Sequence, residues 1–235
     1  MIIFGRHCVE QVLNLAPQKI QSIFVAKDIP PKLFGRLSRL GVKIERVDNK
    51  KAQALARGGN HQGLLARIDD LELASREDAL KVDSMIVLCG LSDVGNIGAI
   101  ARSAYALGVG AMLLCDRASL SMPALEGIFR TSSGALLGLP FCLAGQSLDL
   151  VNQLKQLDCI TIGAASRPKI ESKNEETNPP KKWALFIGHE ELGLAPRLQR
   201  KLDRIAAISM AHDFDSLNAS VAAGILIDRI QTGRF

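Results

Sequence analysis

Two kinds of apolar pattern divide the chain. Over the first 68 residues, short apolar clusters recur at helical or alternating spacing, whereas from Met85 onward the apolar runs are continuous. Val9, Val12 and Leu13 fall on one helical face and predict a helix over residues 5–15. Residues 22–26 (SIFVA) read as a strand, Pro30-Pro31 opens a helix running to Leu40, and residues 42–47 alternate like a strand once Gly41 has ended that helix. Asn49 is placed as the cap of a short helix to Arg57, Gly58-Gly59-Asn60 as a turn, and residues 63–68 as a further strand.

Residues 69–83 are strongly charged and read as an exposed linker with at most one helical turn. They divide a unit of residues 1–68 from one of residues 84–235. In the second unit the runs 85–89, 111–115, 159–163 and 184–188 are apolar throughout, as strands of a parallel sheet covered on both faces are. Between and after them, helical stretches are predicted over 96–107, 122–131, 147–157, 196–202 and 216–231, and a last apolar strand ends near Ile208. Residues 169–182 are polar and proline-bearing, the composition of a mobile loop. The fold class is therefore α/β, a small α/β unit followed by a larger one built on a parallel sheet.

Composition narrows the setting. With 47% hydrophobic residues over 235 positions, a packed core is within reach. No apolar run approaches the roughly 18 residues of a membrane span, and the opening MIIFGRHCVEQ has neither the apolar stretch nor the cleavage site of a secretory signal. A cytoplasmic protein without a membrane partner is expected. Five cysteines stand singly with no CxxC pair, and four histidines show no ligand spacing, so no metal is expected. Charge is unevenly spread. Residues 1–67 carry 12 Lys/Arg against 4 Asp/Glu, a net +8, while the remaining 168 residues carry 17 against 20, a net −3. A basic first unit fits either a phosphate-rich partner or an ordinary solvated surface.

Three clusters stand where strands end or helices start, the positions at which open α/β sheets place ligands. The first runs from Leu91 to Arg102 and holds Asn96 and Arg102. Its glycines form only Gly95-x-x-Gly98, short of a dinucleotide fingerprint. A capping role for Asn96 and a surface role for Arg102 would account for both. The second, from Ala184 to Gly193, ends an apolar strand in Gly188 and follows it with Glu190 and Glu191. There Gly188 would let a ligand approach the backbone, and Glu190 and Glu191 could accept from a ligand or from Arg102; solvated acids on a turn are the plainer reading. The third runs from Ile208 to Ser220. Ser216 is a good N-cap, and Ala219, Ser220, Ala222, Ala223 and Gly224 give the following helix a smooth face, but capping and packing leave Asn218 unexplained.

Taken together, these clusters resemble the SpoU/TrmH branch of the SPOUT RNA ribose methyltransferases. Asn96 and Arg102 match its first motif, Gly188, Glu190 and Gly193 its second, and Ile208, Met210 and Ser216–Ser220 its third, with Ser209 in place of the usual proline. Thr131-Ser-Ser-Gly134-Ala is similar to a segment between the first two. The stretches Ile3-Phe-Gly-Arg6-His7 and His61-Gln62-Gly63 through Arg67 are similar to the substrate-binding domain of bacterial enzymes that methylate one guanosine ribose in 23S rRNA.

The resemblance implies an L30e-like RNA-binding first domain and a SPOUT second domain with a deep trefoil knot, itself a rare exception to unknotted topology. It implies S-adenosylmethionine as cofactor, held by Thr131, Gly134, Ile187, Gly188, Ile208, Met210, Leu217 and Asn218. Arg102, Asn96, Glu190, Ser216 and Asn218 would be catalytic. Arg6, His7, His61, Gln62 and Arg67 would contact ribosomal RNA, and the enzyme would be a homodimer. Methylation of tRNA or of another rRNA site, a non-catalytic ribosome-assembly factor, and a nicotinamide-dependent oxidoreductase are the competing readings.

Overall fold

The computed structural model describes residues 1–165, 178–212 and 216–234. Most of the polar stretch 169–182 lies outside them.

Residues 2–68 build a four-stranded sheet from β1 (Ile2–Phe4), β2 (Ile20–Val25), β3 (Lys43–Arg46) and β4 (Leu64–Ile68), in the order β1-β4-β2-β3. β4 runs antiparallel to both β1 and β2, and β3 parallel to β2. Strand alternation sorts the side chains by face. Ile23, Val25, Leu64, Ala66 and Ile68 pack under α1 (Arg6–Leu15) and α2 (Pro31–Ser38), while Phe24 and Leu65 meet Ala52 of α3 (Asn49–Leu55) and Ala56 at its end on the other. The cap of α3 is Asp48, whose side chain accepts from the Lys51 N–H, not Asn49 as the sequence suggested. α1 begins at Arg6 because Gly5, at φ 91°, cannot be helical.

Residues 69–83 are not a free linker. Ala79, in the short helix α4 (Arg76–Ala79), and the adjoining Leu80 are buried against the second sheet, and the Ala74 N–H donates to the Phe141 carbonyl at 2.8 Å. Burying one methyl and one leucine side chain anchors a segment whose composition looks solvated.

The second sheet has six strands, two more than the continuous runs alone predict. They are β5 (Ser84–Cys89), β6 (Ala111–Cys115), β7 (Phe141–Gly145), β8 (Ile160–Ala165), β9 (Trp183–Ile187) and β10 (Arg204–Ala207), all parallel, in the order β10-β8-β9-β5-β6-β7. On one face lie α5 (Val94–Ala106), α6 (Met122–Thr131) and α9 (Ala219–Thr232); on the other lie α4, α7 (Ser147–Gln156) and α8 (Pro196–Gln199). β5 shows how one apolar run serves both: Ile86 and Leu88 face α5, and Met85, Val87 and Cys89 face α7. β8 and β10 are also tied by side chains, since Asp203 accepts from the N–H and hydroxyl of Thr161 at 2.9 and 2.6 Å.

Candidate active site

Because the strands of the second sheet are parallel, their carboxyl ends share one edge. Leu88 stands opposite Ile187, and Ala165 opposite Ala207, so the segments leaving β5 and β9 emerge side by side and that leaving β10 emerges at the same end of the sheet, with β8 between. These segments carry the three clusters.

The segment after β5 enters α5 through Asp93. Its carboxylate accepts from the Gly95 N–H at 3.2 Å and the Asn96 N–H at 2.8 Å, making Asp93 the N-cap and leaving the Asn96 side chain free of that task. The segment after β9 doubles back at once. Gly193, at φ 64°, donates its N–H to the His189 carbonyl at 2.8 Å, and Glu191 donates its N–H to His189 Nδ1 at 3.2 Å. A β-carbon on Gly188 would stand 2.2 Å from the Gly193 carbonyl carbon, so Gly188 is required by the chain folding onto itself rather than by a ligand. The segment after β10 ends at Asn218, and α9 starts one residue later than that, not at Ser216. Asn218 Oδ1 accepts from the N–H and hydroxyl of Ser220 at 2.8 and 2.6 Å, which makes Asn218 the cap.

These three segments meet in one chain of side chains. Asn218 Nδ2 donates to Asn96 Oδ1 at 2.9 Å, and Asn96 Nδ2 donates to Glu190 Oε1 at 3.4 Å. Asn218 thus caps its own helix with one side-chain atom and holds Asn96 with the other. Glu190 takes its hydrogen bond from Asn96, not from Arg102 as anticipated. All three side chains are at least partly solvated, so the chain forms an accessible polar wall. Beside it, Ile208, Met210 and Leu217 are half-buried, and the main-chain groups of Ile208 and Met210 have no partner among the described residues. Ser216 is exposed at the mouth of this wall.

Arg102 stands elsewhere. Asn96 shares its helical face with Ser103, which lies against Gly224 of α9, whereas Arg102 is turned by about 100° from that face and is exposed. It has no hydrogen-bond or ion-pair partner among the described residues. Thr131 and Gly134 also stand apart. The Thr131 hydroxyl is directed at the carbonyls of Val94, Gly127 and Ile128, where Gly98 leaves room for it, and Gly134, at φ 84°, lies under Cys8 and Gln11 of α1. Both join α6 to its neighbours.

The five residues expected at RNA separate into kinds. His61 is 4% exposed and its Nδ1 accepts from the Gly63 N–H at 3.1 Å, so it shapes a turn inside the protein and cannot reach an RNA surface. Gln62 Oε1 accepts from the Arg6 N–H at 2.9 Å and holds the start of α1, while the Arg6 guanidinium lies 3.5 Å from Glu10. His7 and Arg67 are exposed. Sequence reasoning missed Asp93 and Phe4. Asp93 was legible as an Asx residue just before the first helical turn; Phe4 lay inside the stretch similar to the substrate-binding domain but was given no role there, and its ring lies 5.6 Å from the Arg130 guanidinium.

Comparison with known proteins bears on the whole arrangement. The SpoU rRNA Methylase family matches residues 83–228, and the family described as RNA 2'-O ribose methyltransferase substrate binding matches residues 2–74. The chain is 30% identical, over 97% of its length and 96% of the relative's, to the 23S rRNA (guanosine-2'-O-)-methyltransferase RlmB of Pasteurella multocida. It is 26% identical to the RlmB of Escherichia coli K12, over 96% of both chains. Among solved structures, an RNA 2'-O ribose methyltransferase superposes with a TM-score of 0.78 at 24% identity, covering all of this chain and 88% of that one. The SpoU methyltransferase AviRb of Streptomyces viridochromogenes, in complex with the cofactor AdoMet, gives 0.74 at 18% identity over 100% and 89%. At such identities the structures establish a shared fold.

Proposed function

The chain belongs to the SpoU rRNA methylase family, and on that premise we propose that it transfers a methyl group from S-adenosylmethionine to the ribose 2'-hydroxyl of a guanosine in 23S rRNA. The observation that carries this reading is the Asn218–Asn96–Glu190 chain, which joins the three strand-end segments into one polar wall. The relatives named for this activity span nearly the whole chain, basic first unit included.

The residues present fit the cofactor. Ile208, Met210 and Leu217 offer apolar surface over the buried Ile187, and the main-chain groups of Ile208 and Met210, without a partner among the described residues, suit the edge of a flat base. With Gly188 they would hold the cofactor, and Asn218 would close the pocket; bound there, it supplies an electrophilic methyl group. Thr131 and Gly134 would contribute by fixing α6 rather than by contact.

The protein's task is to align the ribose oxygen and stabilise the charge it develops. Asn96, Glu190, Ser216 and Asn218 would orient the ribose. Arg102 would bind the neighbouring phosphate and stabilise the alkoxide, since a guanidinium is a poor base. Its exposed position away from the wall supports a homodimer in which each site draws on both subunits. The reading also takes residues 1–68 as the RNA-binding domain, 69–83 as a docked connector and 84–235 as the catalytic domain. A trefoil knot belongs to it through the family match alone.

Incubating the protein with total RNA and S-adenosylmethionine, then mapping ribose methylation by resistance to alkaline cleavage, tests the proposal. One modified guanosine in 23S rRNA is expected. Modification confined to tRNA would overturn the substrate, and no modification the activity.

A further inference from the structure

We propose that the cleft between the first sheet and α6 binds one unpaired nucleotide of the RNA substrate, its phosphate held by Arg67 and Arg130 and its base by the apolar floor. This rests on the RNA-methylating reading above and adds a site to it, away from the polar wall.

The cleft has a volume of about 530 Å³, within the range of small-molecule sites and too small for a duplex. Its construction follows from strand parity. Ile2 and Phe4 of β1 and Arg67 of β4 project from the same face of the sheet, with Arg67 in register opposite Ile2. Residues 55–57 form one wall, and Glu126, Phe129 and Arg130 of α6 the other.

The charges decide the ligand. Arg57 lies 3.6 Å from Glu126, Asp69 accepts from Gln21, and Asp70 accepts from the terminal ammonium at 3.0 Å. Neither Arg67 nor Arg130 has a carboxylate partner among the described residues. Because the partner of Asp69 is a neutral amide, two guanidiniums face one uncompensated carboxylate; that excess of positive charge beside Ile2 and Phe4 favours an anion joined to a flat ring. A guanidinium grips a phosphate with paired N–H groups and also stacks on a base. Arg130 already lies 5.6 Å from the Phe4 ring centre, so a stacking surface is in place. RNA presents such units where bases are unpaired.

The position has a consequence for the reaction. The opposite side of α6 carries Gly127 and Thr131, which pack on Val94 and Gly98 in the first turns of α5, the helix that carries Asn96. A nucleotide in the cleft would therefore be one helix away from the polar wall.

The test uses the full chain, a mixed-sequence single-stranded RNA of about a dozen nucleotides, and fluorescence anisotropy at several salt concentrations. The double variant Arg67→Gln/Arg130→Gln should bind at least about tenfold more weakly and lose about 1.4 from the salt slope, with thermal melting checking the fold. The pair Lys32→Gln/Arg39→Gln removes the same charge from exposed positions outside the cleft and should lose less. A wild-type complex carrying 4-thiouridine should crosslink to the peptide of Phe4. No loss, an equal loss in both pairs, or crosslinking only elsewhere overturns the proposal. Cleft-dependent binding without methyl transfer would defeat the function and spare the cleft; wild-type transfer and binding by the cleft variant would do the reverse.

Discussion

Asn218 donates its side-chain amide to the Asn96 oxygen at 2.9 Å, across 122 residues of chain, while its own oxygen caps α9. One side chain therefore has two separable duties. Aspartate caps a helix about as well as asparagine but has no amide hydrogen to give Asn96. Asn218→Asp should keep the melting temperature close to wild type while the methyl-transfer rate falls by about a hundredfold, the scale of a misplaced reacting group. Asn218→Ala should lose that activity and also about 1 kcal/mol of stability. Chemical denaturation beside single-turnover kinetics separates the two.

Gly188 is fixed by its own chain. A methyl group there would meet the main chain of Gly193 and Leu194 at 2.2–2.3 Å. Gly188→Ala should destabilise the protein by about 3 kcal/mol or more and abolish S-adenosylmethionine binding, read by calorimetry. A stable variant with intact binding would show that the turn after β9 can open.

His61 looks like an RNA ligand in the sequence and is an interior turn residue in the structure. His61→Ala should lower stability by about 1–2 kcal/mol, the cost of leaving a buried N–H unpaired, with no change in the salt slope of RNA binding. His61→Asn, which keeps an acceptor, should recover much of the loss.

The cysteines set an alkaline limit. Burial pushes the Cys8, Cys115 and Cys159 thiols up to about 12 and Cys142 to about 11, and Cys89 also rises. In the unfolded chain the same thiols ionise near 9.0. Above that value the unfolded state releases protons that the native state retains, so stability is whole below about pH 9 and declines as pH rises toward 12. Equilibrium unfolding at pH 8 and pH 10 should show the drop, and a variant with Cys115→Ser should show a smaller one.

Much of this was legible in the sequence, for physical reasons. The long apolar runs of β5, β6, β8 and β9 and the helices between them are strong periodic signals. β1 has only three residues, too few to display a pattern, and β7 contains Cys142 and Gly145, which carry little strand signal. Caps were displaced by one to three residues wherever polar residues cluster: Asp48 beside Asn49, Asp93 before Asn96, Asn218 after Ser216. Local pattern locates such a cluster but does not choose among its members. The motif residues Asn96, Glu190 and Asn218 could be named, yet their hydrogen-bonded order could not, because it depends on three strand ends meeting. The docking of 69–83 and the packing of α6 between the first sheet and α5 are likewise long-range contacts with no local signature.

The most direct test compares wild type with Arg102→Ala in single-turnover methyl transfer to 23S rRNA at saturating S-adenosylmethionine. Wild type should methylate one guanosine 2'-hydroxyl. Arg102→Ala should lose about 10²–10³ in rate, the usual effect of removing a group that stabilises developing charge, while its cofactor affinity stays within about twofold by calorimetry. Wild-type turnover by Arg102→Ala, or no ribose methylation by the wild-type protein, would contradict the account.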